Sequence, residues 1–249
     1  MRQPHIALDD PGIEYAILPG DPARIDRIKA HLENAEELAY NREFRSVRGR
    51  YKGVNILALS TGIGGCSAGI AVEELHNIGV RAAIRIGSCG ALQSGIGLGE
   101  LIVVSGAVRD DGASRAYLPE IYPAYADIGL LCCIMDAARA LGIKCHEGVA
   151  HSHESFYHEE NDAQSAYWSQ KGVLGADMES AALLTIGRLR GMKVASILNN
   201  VVLYGADTAD AIGDYASGAD LAAKGERDEI RLALEALYLL DARGKENGR

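Results

Sequence analysis

Residues 82–92 read AAIRIGSCGAL, a short apolar run that carries one charge, Arg85, and ends in a glycine-containing turn. The alanines and isoleucines around Arg85 have the composition of a buried β-strand. A guanidinium is seldom buried without a partner, because removing a fixed charge from water costs several kcal/mol. The sequence therefore predicts that Arg85 faces either a carboxylate or an anionic ligand.

Apolar runs alternate with amphipathic segments on both sides of this stretch. Further strands are predicted in residues 14–21, 54–65, 101–112, 148–157 and 193–203. Helices are predicted in residues 21–32, 66–79, 125–142, 178–191 and 226–242. This alternation indicates an α/β fold with a largely parallel or mixed central sheet. No repeat or linker divides the chain, so we expect a single domain over residues 1–249.

Composition and charge argue against some classes of binding partner. The net charge of −9 and the pI of about 5.3 argue against nucleic acid and anionic lipid as partners. The N-terminal MRQPHIALDD lacks the apolar core of a signal peptide, and no apolar run reaches the roughly 20 residues of a membrane span. The five cysteines are odd in number and lack zinc-site spacing, which favours a reduced, cytoplasmic, soluble protein.

Three glycine-containing turns follow predicted strands, at residues 19–24 (PGDPAR), 60–65 (STGIGG) and 87–91 (GSCGA). In open α/β sheets, ligands bind at the carboxyl ends of strands, where such turns meet. Glycine also lets backbone N–H groups approach an anion closely. None of the turns matches the dinucleotide fingerprint or the P-loop. The turns therefore indicate an anion site of another kind.

Three arginines are candidates for that site. If they converge with two small residues, the result is a pocket for a dianionic phosphate; the five residues are Gly20, Arg24, Arg42, Arg85 and Ser88. The alternative is that each arginine pairs with a nearby carboxylate, such as Asp21 or Glu43. The apolar flanks of Arg85 favour a ligand for that arginine.

A second group of candidates lies in GADMESAALL, residues 175–184, where a turn enters a predicted helix. Acidic residues are common in a first helical turn because the helix dipole favours them, and this explains one carboxylate. Asp177 and Glu179 flank Met178. A carboxylate beside a methionine can also hold sugar hydroxyls while the methionine covers an apolar ring face.

Seven motifs together resemble a known family. LPGDPARIDRI, NREF, STGIGGCSAGIAVEEL, IRIGSCGAL, VRDDGAS, ESFY and DMESAALL occur in order between His5 and Val202. They resemble the nucleoside phosphorylases of the uridine phosphorylase and hexameric purine nucleoside phosphorylase type. The resemblance implies one α/β domain around a mixed, barrel-like sheet, assembled as dimers within a hexamer. It also implies a pentosyltransferase that converts a nucleoside and phosphate to free base and pentose 1-phosphate, without a cofactor.

The resemblance also implies roles for individual residues. It assigns phosphate binding to Gly20, Arg24, Arg85 and Ser88, with Arg42 contributed by the neighbouring subunit. It assigns ribose binding to His5 from that same neighbour, Ser88, Met178 and Glu179. It assigns base binding to Cys89, Gly90, Phe156, Glu160, Asp177 and Met178. Arg85 and Glu179 would be the catalytic residues. Some relatives bind potassium between subunits at the positions of Glu43, Ile63 and Ser67.

The residues that read the base depart from the family pattern. Uridine phosphorylases place a glutamine and an arginine shortly after the FY pair, where this chain has Glu160 and Asp162. Purine enzymes place an aspartate after the penultimate strand, where residues 199–201 are Asn-Asn-Val. The usual glutamate before the methionine is Asp177. Base specificity is therefore unresolved, and we hypothesise that Glu160 accepts N–H groups of a guanine-like base and disfavours uracil.

Two other functions fit parts of the sequence. A nucleoside hydrolase on the same fold would use water, but it would not need the arginines. A non-catalytic nucleoside-binding relative would not need both Arg85 and Glu179. His151, His153 and His158 also suggest a metal site. On one strand His151 and His153 would share a face, but no third ligand stands at a defined spacing from them.

Overall fold

The computed structural model describes residues 1–206 and 220–246. The strands of these residues are β1 (Tyr15–Pro19), β2 (Glu33–Asn41), β3 (Phe44–Tyr51), β4 (Val54–Leu59), β5 (Ala82–Ala91), β6 (Leu101–Asp110), β7 (Ala124–Tyr125), β8 (Cys145–His153), β9 (Gly175–Asp177) and β10 (Lys193–Val202). The helices are α1 (Arg24–Lys29), α2 (Gly65–Asn77), α3 (Gly112–Tyr117), α4 (Ile128–Leu141), α5 (Asn161–Gln170), α6 (Ser180–Leu189) and α7 (Asp220–Glu246).

Five strands close into a mixed barrel. Strand β5 pairs in parallel with β10, β10 pairs antiparallel with β6, and β6 pairs in parallel with β8. Strand β9 completes the circle, because it pairs in parallel with β8 and antiparallel with the end of β5. On its other edge, the first half of β5 pairs in parallel with β1, and β4, β3 and β2 extend the sheet from there. This confirms the expected α/β fold with a mixed, barrel-like sheet.

The burial of these strands in the core explains why apolar runs in the sequence predict them. Residues 82–87 of β5 are all buried, as expected for a strand covered on both faces. Helix α2 packs against α6, and α4 packs against α7. A Cβ on Gly69 of α2 would lie 2.9 Å from the Ile186 side chain of α6, so the two helices approach closely at this glycine.

Several boundaries differ from the sequence-based expectations. The predicted strand over residues 148–157 starts at Cys145 and ends at His153, so Phe156 lies in the loop after it. Helix α1 begins at Arg24, and the Asp21 carboxylate accepts a hydrogen bond from the Ala23 amide (2.8 Å) just before it. The closing helix α7 is longer than predicted. All five cysteines are free thiols. Among the described residues, no helix combines the length and apolar character needed to cross a membrane.

Candidate active site

The parallel register brings the predicted turns together. Leu18 of β1 and Ser196 of β10 both stand opposite Arg85 of β5. The carboxyl ends of these strands therefore lie side by side, which is where ligands bind in α/β sheets. The turn after β4 joins them, because the Gly62 amide donates to the Gly20 carbonyl (2.9 Å).

Arg85 is buried between two carboxylates. Its Nε donates to Asp177 Oδ2 (3.1 Å), and its Nη2 donates to Glu179 Oε2 (2.5 Å). Its Nη1 is buried and has no hydrogen-bond partner among the described residues. That nitrogen lies 3.9 Å from the position that a Cβ on Gly20 would occupy. Burial disfavours the charged form, but the charges of Glu179 and Asp177 outweigh it and raise the pKa of Arg85.

Arg24 is the second buried arginine of the site. Its Nη1 donates to the Ile86 carbonyl (3.2 Å), and its Nη2 donates to Ser88 Oγ (3.3 Å). Its Nε donates to Glu226 (3.1 Å), and its Nη1 lies 3.2 Å from Glu229 Oε1. The two glutamates belong to α7, which the sequence did not connect with the site. In sequence they look like ordinary acids on an amphipathic helix, three residues apart.

The structure thus assembles the residues of this chain that were assigned to phosphate. Gly20 approaches Arg85, and Arg24 binds Ser88. Both arginines have carboxylate partners, as the alternative to a phosphate site expected, but these come from β9, the start of α6 and α7 and not from Asp21 or Glu43. Of these two arginines, Arg85 leaves a buried donor without a partner among the described residues.

Glu179 connects Arg85 with the glycine-rich turn. It lies at the start of α6, is 5% exposed, and its Oε1 accepts a hydrogen bond from the Gly64 amide (2.5 Å). Gly64 has φ +93°, a conformation that side chains rarely adopt, so this turn requires a glycine. Burial raises the pKa of Glu179, although Arg85 opposes the shift. Each carboxylate oxygen keeps a lone pair with which it can accept a further hydrogen bond.

The structure places Asp177, which was assigned to the base, among hydrogen-bond donors of the protein. Its side chain is completely buried. Its Oδ1 accepts from Ser152 Oγ (2.6 Å), and its Oδ2 accepts from Arg85 Nε and from the amide and hydroxyl of Ser180. These contacts show that Asp177 fixes the position of Arg85. Its contact with the base stays a prediction.

The other residues assigned to the base lie in different environments. Cys89 is buried, and burial raises the pKa of its thiol. Gly90 and Met178 are half-buried, and so is Phe156, whose ring packs edge-to-face on Tyr157 with centroids 4.8 Å apart. Glu160 is exposed just before α5, and its side chain makes no hydrogen bond or ion pair within the described ranges. The base-binding roles of these residues stay predictions.

The two residues assigned to the neighbouring subunit lie outside the arginine cluster of their own chain. His5 Nδ1 lies 2.6 Å from Glu74 Oε1, and the His5 carbonyl accepts from the Asn41 side chain (2.8 Å). Arg42 follows Asn41 and is exposed. In the described part of the chain, no hydrogen bond or ion pair joins His5 or Arg42 to Arg85. Their shared position on the surface is what a contribution to a second subunit requires.

The residues considered for metal binding are only partly brought together. Glu43 Oε1 accepts from Ser67 Oγ (2.7 Å), and the nearby Ile63 is exposed. His151 is buried, and its Nε2 lies 3.1 Å from Asp110 Oδ2. Over residues 1–206 and 220–246, no three His, Cys, Asp or Glu side chains are placed to hold a metal ion. The described residues therefore do not support the suggestion of a metal site at the histidines.

The mixed five-stranded barrel with its flanking helices matches the fold of the nucleoside phosphorylases, which are a class of pentosyltransferases. Residues 14–224 match the family model described as Phosphorylase superfamily. The chain belongs to this family, and the protein is an enzyme of the pentosyltransferase class. The family expected from the motifs is thereby confirmed.

The relatives of this chain are named after different nucleosides. The chain is 38% identical over 208 residues to the uridine phosphorylase of Thermococcus kodakarensis, covering 78% of this chain and 75% of the relative. It is 36% identical over 222 residues to the guanosine phosphorylase of Halorubrum lacusprofundi, covering 86% and 92%.

Solved structures agree with this relationship. Uridine phosphorylase from Vibrio fischeri matches with a TM-score of 0.88 and 49% identity, over 95% of this chain and 97% of that one. Purine nucleoside phosphorylase from Toxoplasma gondii, in complex with immucillin-H, matches with a TM-score of 0.90 and 32% identity, over 98% of both chains.

Proposed function

We propose that the protein catalyses the reversible phosphorolysis of a nucleoside to free base and ribose or deoxyribose 1-phosphate. The observation that carries the proposal is the geometry of Arg85. One of its terminal nitrogens binds Glu179, and the other is a buried donor beside Gly20 without a partner among the described residues. A single guanidinium can therefore contact a phosphate on one side and position a sugar-binding carboxylate on the other.

The proposed mechanism uses positioning and electrostatics. Glu179 accepts hydrogen bonds from the 2′- and 3′-hydroxyls of ribose, while Met178 covers the sugar. The C1′–N bond breaks first and its electron pair leaves with the base, so the sugar gains oxocarbenium character. Phosphate, held by Arg85, Arg24 and Ser88, stabilises that positive charge and forms the new C1′–O bond. No covalent enzyme intermediate or cofactor is required.

Phosphate dependence separates this function from the two alternatives. We expect the purified protein to release base from uridine, inosine or guanosine only when phosphate is present, with one pentose 1-phosphate formed per base. Chromatography of bases and assay of the sugar phosphate measure both products. Equal cleavage without phosphate would identify a nucleoside hydrolase, and nucleoside binding without any cleavage would identify a binding protein.

We also propose that the loop between β8 and α5, which contains Glu160, makes guanosine a better substrate than uridine. The exposed Glu160 carboxylate has no partner among the described residues, and it can accept the N1–H and 2-amino groups of guanine while repelling a uracil carbonyl. We expect Glu160→Gln to shift the guanosine-to-uridine ratio of kcat/KM by about tenfold towards uridine. Glu159→Gln, at the adjacent exposed position, is the matched control. Efficient uridine cleavage by the wild-type enzyme would contradict this specificity.

We propose further that two subunits complete each other's sites, within a hexamer built as a trimer of dimers. His5 and Arg42 of one subunit would reach the ribose and phosphate of the next. A potassium ion held between subunits by Glu43, Ile63 and Ser67 would be structural, because the chemistry does not need it. The potassium ion and the cytoplasmic location stay predictions.

A mixing experiment tests the shared site. Arg42→Ala subunits and Arg85→Lys subunits should each be nearly inactive alone. Co-expression in equal amounts should restore about a quarter of wild-type activity, because half of random dimers are mixed and each has one intact site. Activity is measured on the mixture and on each variant treated alone. A mixture no more active than its parents, or a fully active monomer, would rule out sharing.

A further inference from the structure

Helix α7 places an unexplained acid beside the phosphate-binding arginines. The Glu229 side chain is completely buried, and its Oε1 lies 3.2 Å from Arg24 Nη1. Neither of its oxygens accepts a well-aligned hydrogen bond among the described residues, and the donors that face it are Arg24 and the Gly87 backbone amide. The titratable and charged groups that face it are Arg24 from α1, Arg85 and Cys89 from β5, and Glu226 from its own helix. The proposed mechanism gives Glu229 no part.

The charges of the cluster do not balance with all its acids ionised. Among the described residues, the carboxyl groups of the cluster are Asp177, Glu179, Glu226 and Glu229, and the guanidinium groups paired with them are Arg24, Arg85 and the half-exposed Arg27. The acids therefore already outnumber the arginines before any anion binds. Even with an arginine from a neighbouring subunit, a dianionic phosphate would enter a site with no positive charge to spare.

We infer that Glu229 must carry a proton for phosphate to bind, so that phosphate binding and the protonation of Glu229 are coupled. This inference rests on the proposed function. A neutral Glu229 removes one of the two negative charges beside Arg24, whereas an ionised Glu229 competes for Arg24 and repels the phosphate. Glu229 suits this role because, among the described acids of the cluster, it is the fully buried one whose oxygens accept no well-aligned hydrogen bond.

The ionisation of Glu229 falls within an accessible pH range. Burial raises the pKa of Glu229 to about 8, although Arg24 opposes the shift. Burial also raises the pKa of the Cys89 thiol, so Cys89 stays protonated in this range. Phosphate is already mainly a dianion near pH 8. Above this pH, a fall in phosphate affinity therefore reports on the protein.

Calorimetry of phosphate binding tests the coupling. We expect wild-type enzyme, titrated with inorganic phosphate in buffers of different ionisation enthalpy, to take up a growing fraction of a proton from about pH 7.5 to 9. Over the same range its phosphate affinity should fall about tenfold. In Glu229→Gln, uptake should vanish and affinity should stay nearly constant. Glu235→Gln is the matched control, since Glu235 lies on the same helix but pairs with Lys52 and Tyr51.

The outcomes distinguish this inference from the proposed function. Phosphate binding without proton uptake in the wild type, or uptake that persists in Glu229→Gln, would overturn the coupling and leave the phosphorylase function standing. Absence of phosphate binding by the wild type would overturn both. If Glu229→Gln does not fold, the wild-type titration still decides, because uptake of no proton near pH 8.5 is sufficient to reject the coupling.

Thermal unfolding gives a second measurement. The pKa of Glu229 is raised in the folded state, so its contribution to stability is present at low pH and is lost as the pH rises through about 8. The Tm of the wild type should therefore fall more between about pH 6 and pH 9 than the Tm of Glu229→Gln. Parallel Tm profiles for the two proteins would count against a proton on Glu229.

Discussion

Arg85→Lys is expected to lower kcat/KM for phosphate by about 10³-fold while leaving the protein folded. Lysine keeps the positive charge between Asp177 and Glu179, so the two buried carboxylates still have an opposite charge beside them. It cannot, however, bind both carboxylates and still present a third donor beside Gly20, because an ammonium lacks the planar fork of a guanidinium. Steady-state rates of base release at varied phosphate concentration measure the effect.

Arg81→Lys is the matched control for this change, because Arg81 precedes the same strand but is largely exposed. It should behave as wild type. Circular dichroism and Tm confirm that the Arg85→Lys protein is folded. If Arg85→Lys kept the wild-type KM for phosphate, the unpartnered nitrogen of Arg85 would not be the phosphate contact.

Asp177→Asn is expected to cause a large loss of stability. Removing one partner of a buried ion pair costs about 3–5 kcal/mol, because the remaining charge stays desolvated. For a chain of this size the Tm should fall by roughly 10 °C. Activity should fall by about 10²-fold as well, since Arg85 would lose the carboxylate that fixes its orientation. Differential scanning calorimetry and steady-state kinetics measure the two effects.

Asp177→Glu and Asp9→Asn complete this comparison. Asp177→Glu keeps the charge and should retain more of the stability, whereas Asp9→Asn removes an exposed acid near the N-terminus and should change little. The two possible roles of Asp177 predict different results. An anchor for Arg85 alters the KM for phosphate with every nucleoside alike. A base contact would alter the preference among nucleosides with the Tm unchanged. That result would support the predicted contact between Asp177 and the base.

The sequence predicted the barrel strands β5, β6 and β10 because they are largely buried and apolar, but it missed the short β9. It missed the β2–β3 hairpin, whose outer strand is mostly exposed and polar. That hairpin is held by cross-strand charge pairs, such as Arg48 with Glu36 and Arg45 with Glu37. In a single sequence these charges look like an ordinary solvated surface, since nothing in their spacing shows which of them will face one another.

The site was predictable to the extent that chain topology determines it. Turns after parallel strands must meet, so the approach of Gly20, Arg85 and Ser88 follows from the strand order. The partners of a charged side chain are set instead by distant packing. Asp177 turned towards Arg85, and α7 contributed Glu226 and Glu229 from the far end of the chain. Local sequence carries no information on either outcome.

Arg85 touches both halves of the proposed site, and this has a thermodynamic consequence. A ligand that draws one end of the guanidinium also changes how firmly the other end holds Glu179. The affinities of the two substrates are then reciprocal: whatever factor one adds to the binding of the other, it receives in return. Such an enzyme would discriminate against either substrate arriving alone, and its selectivity would be a property of the pair.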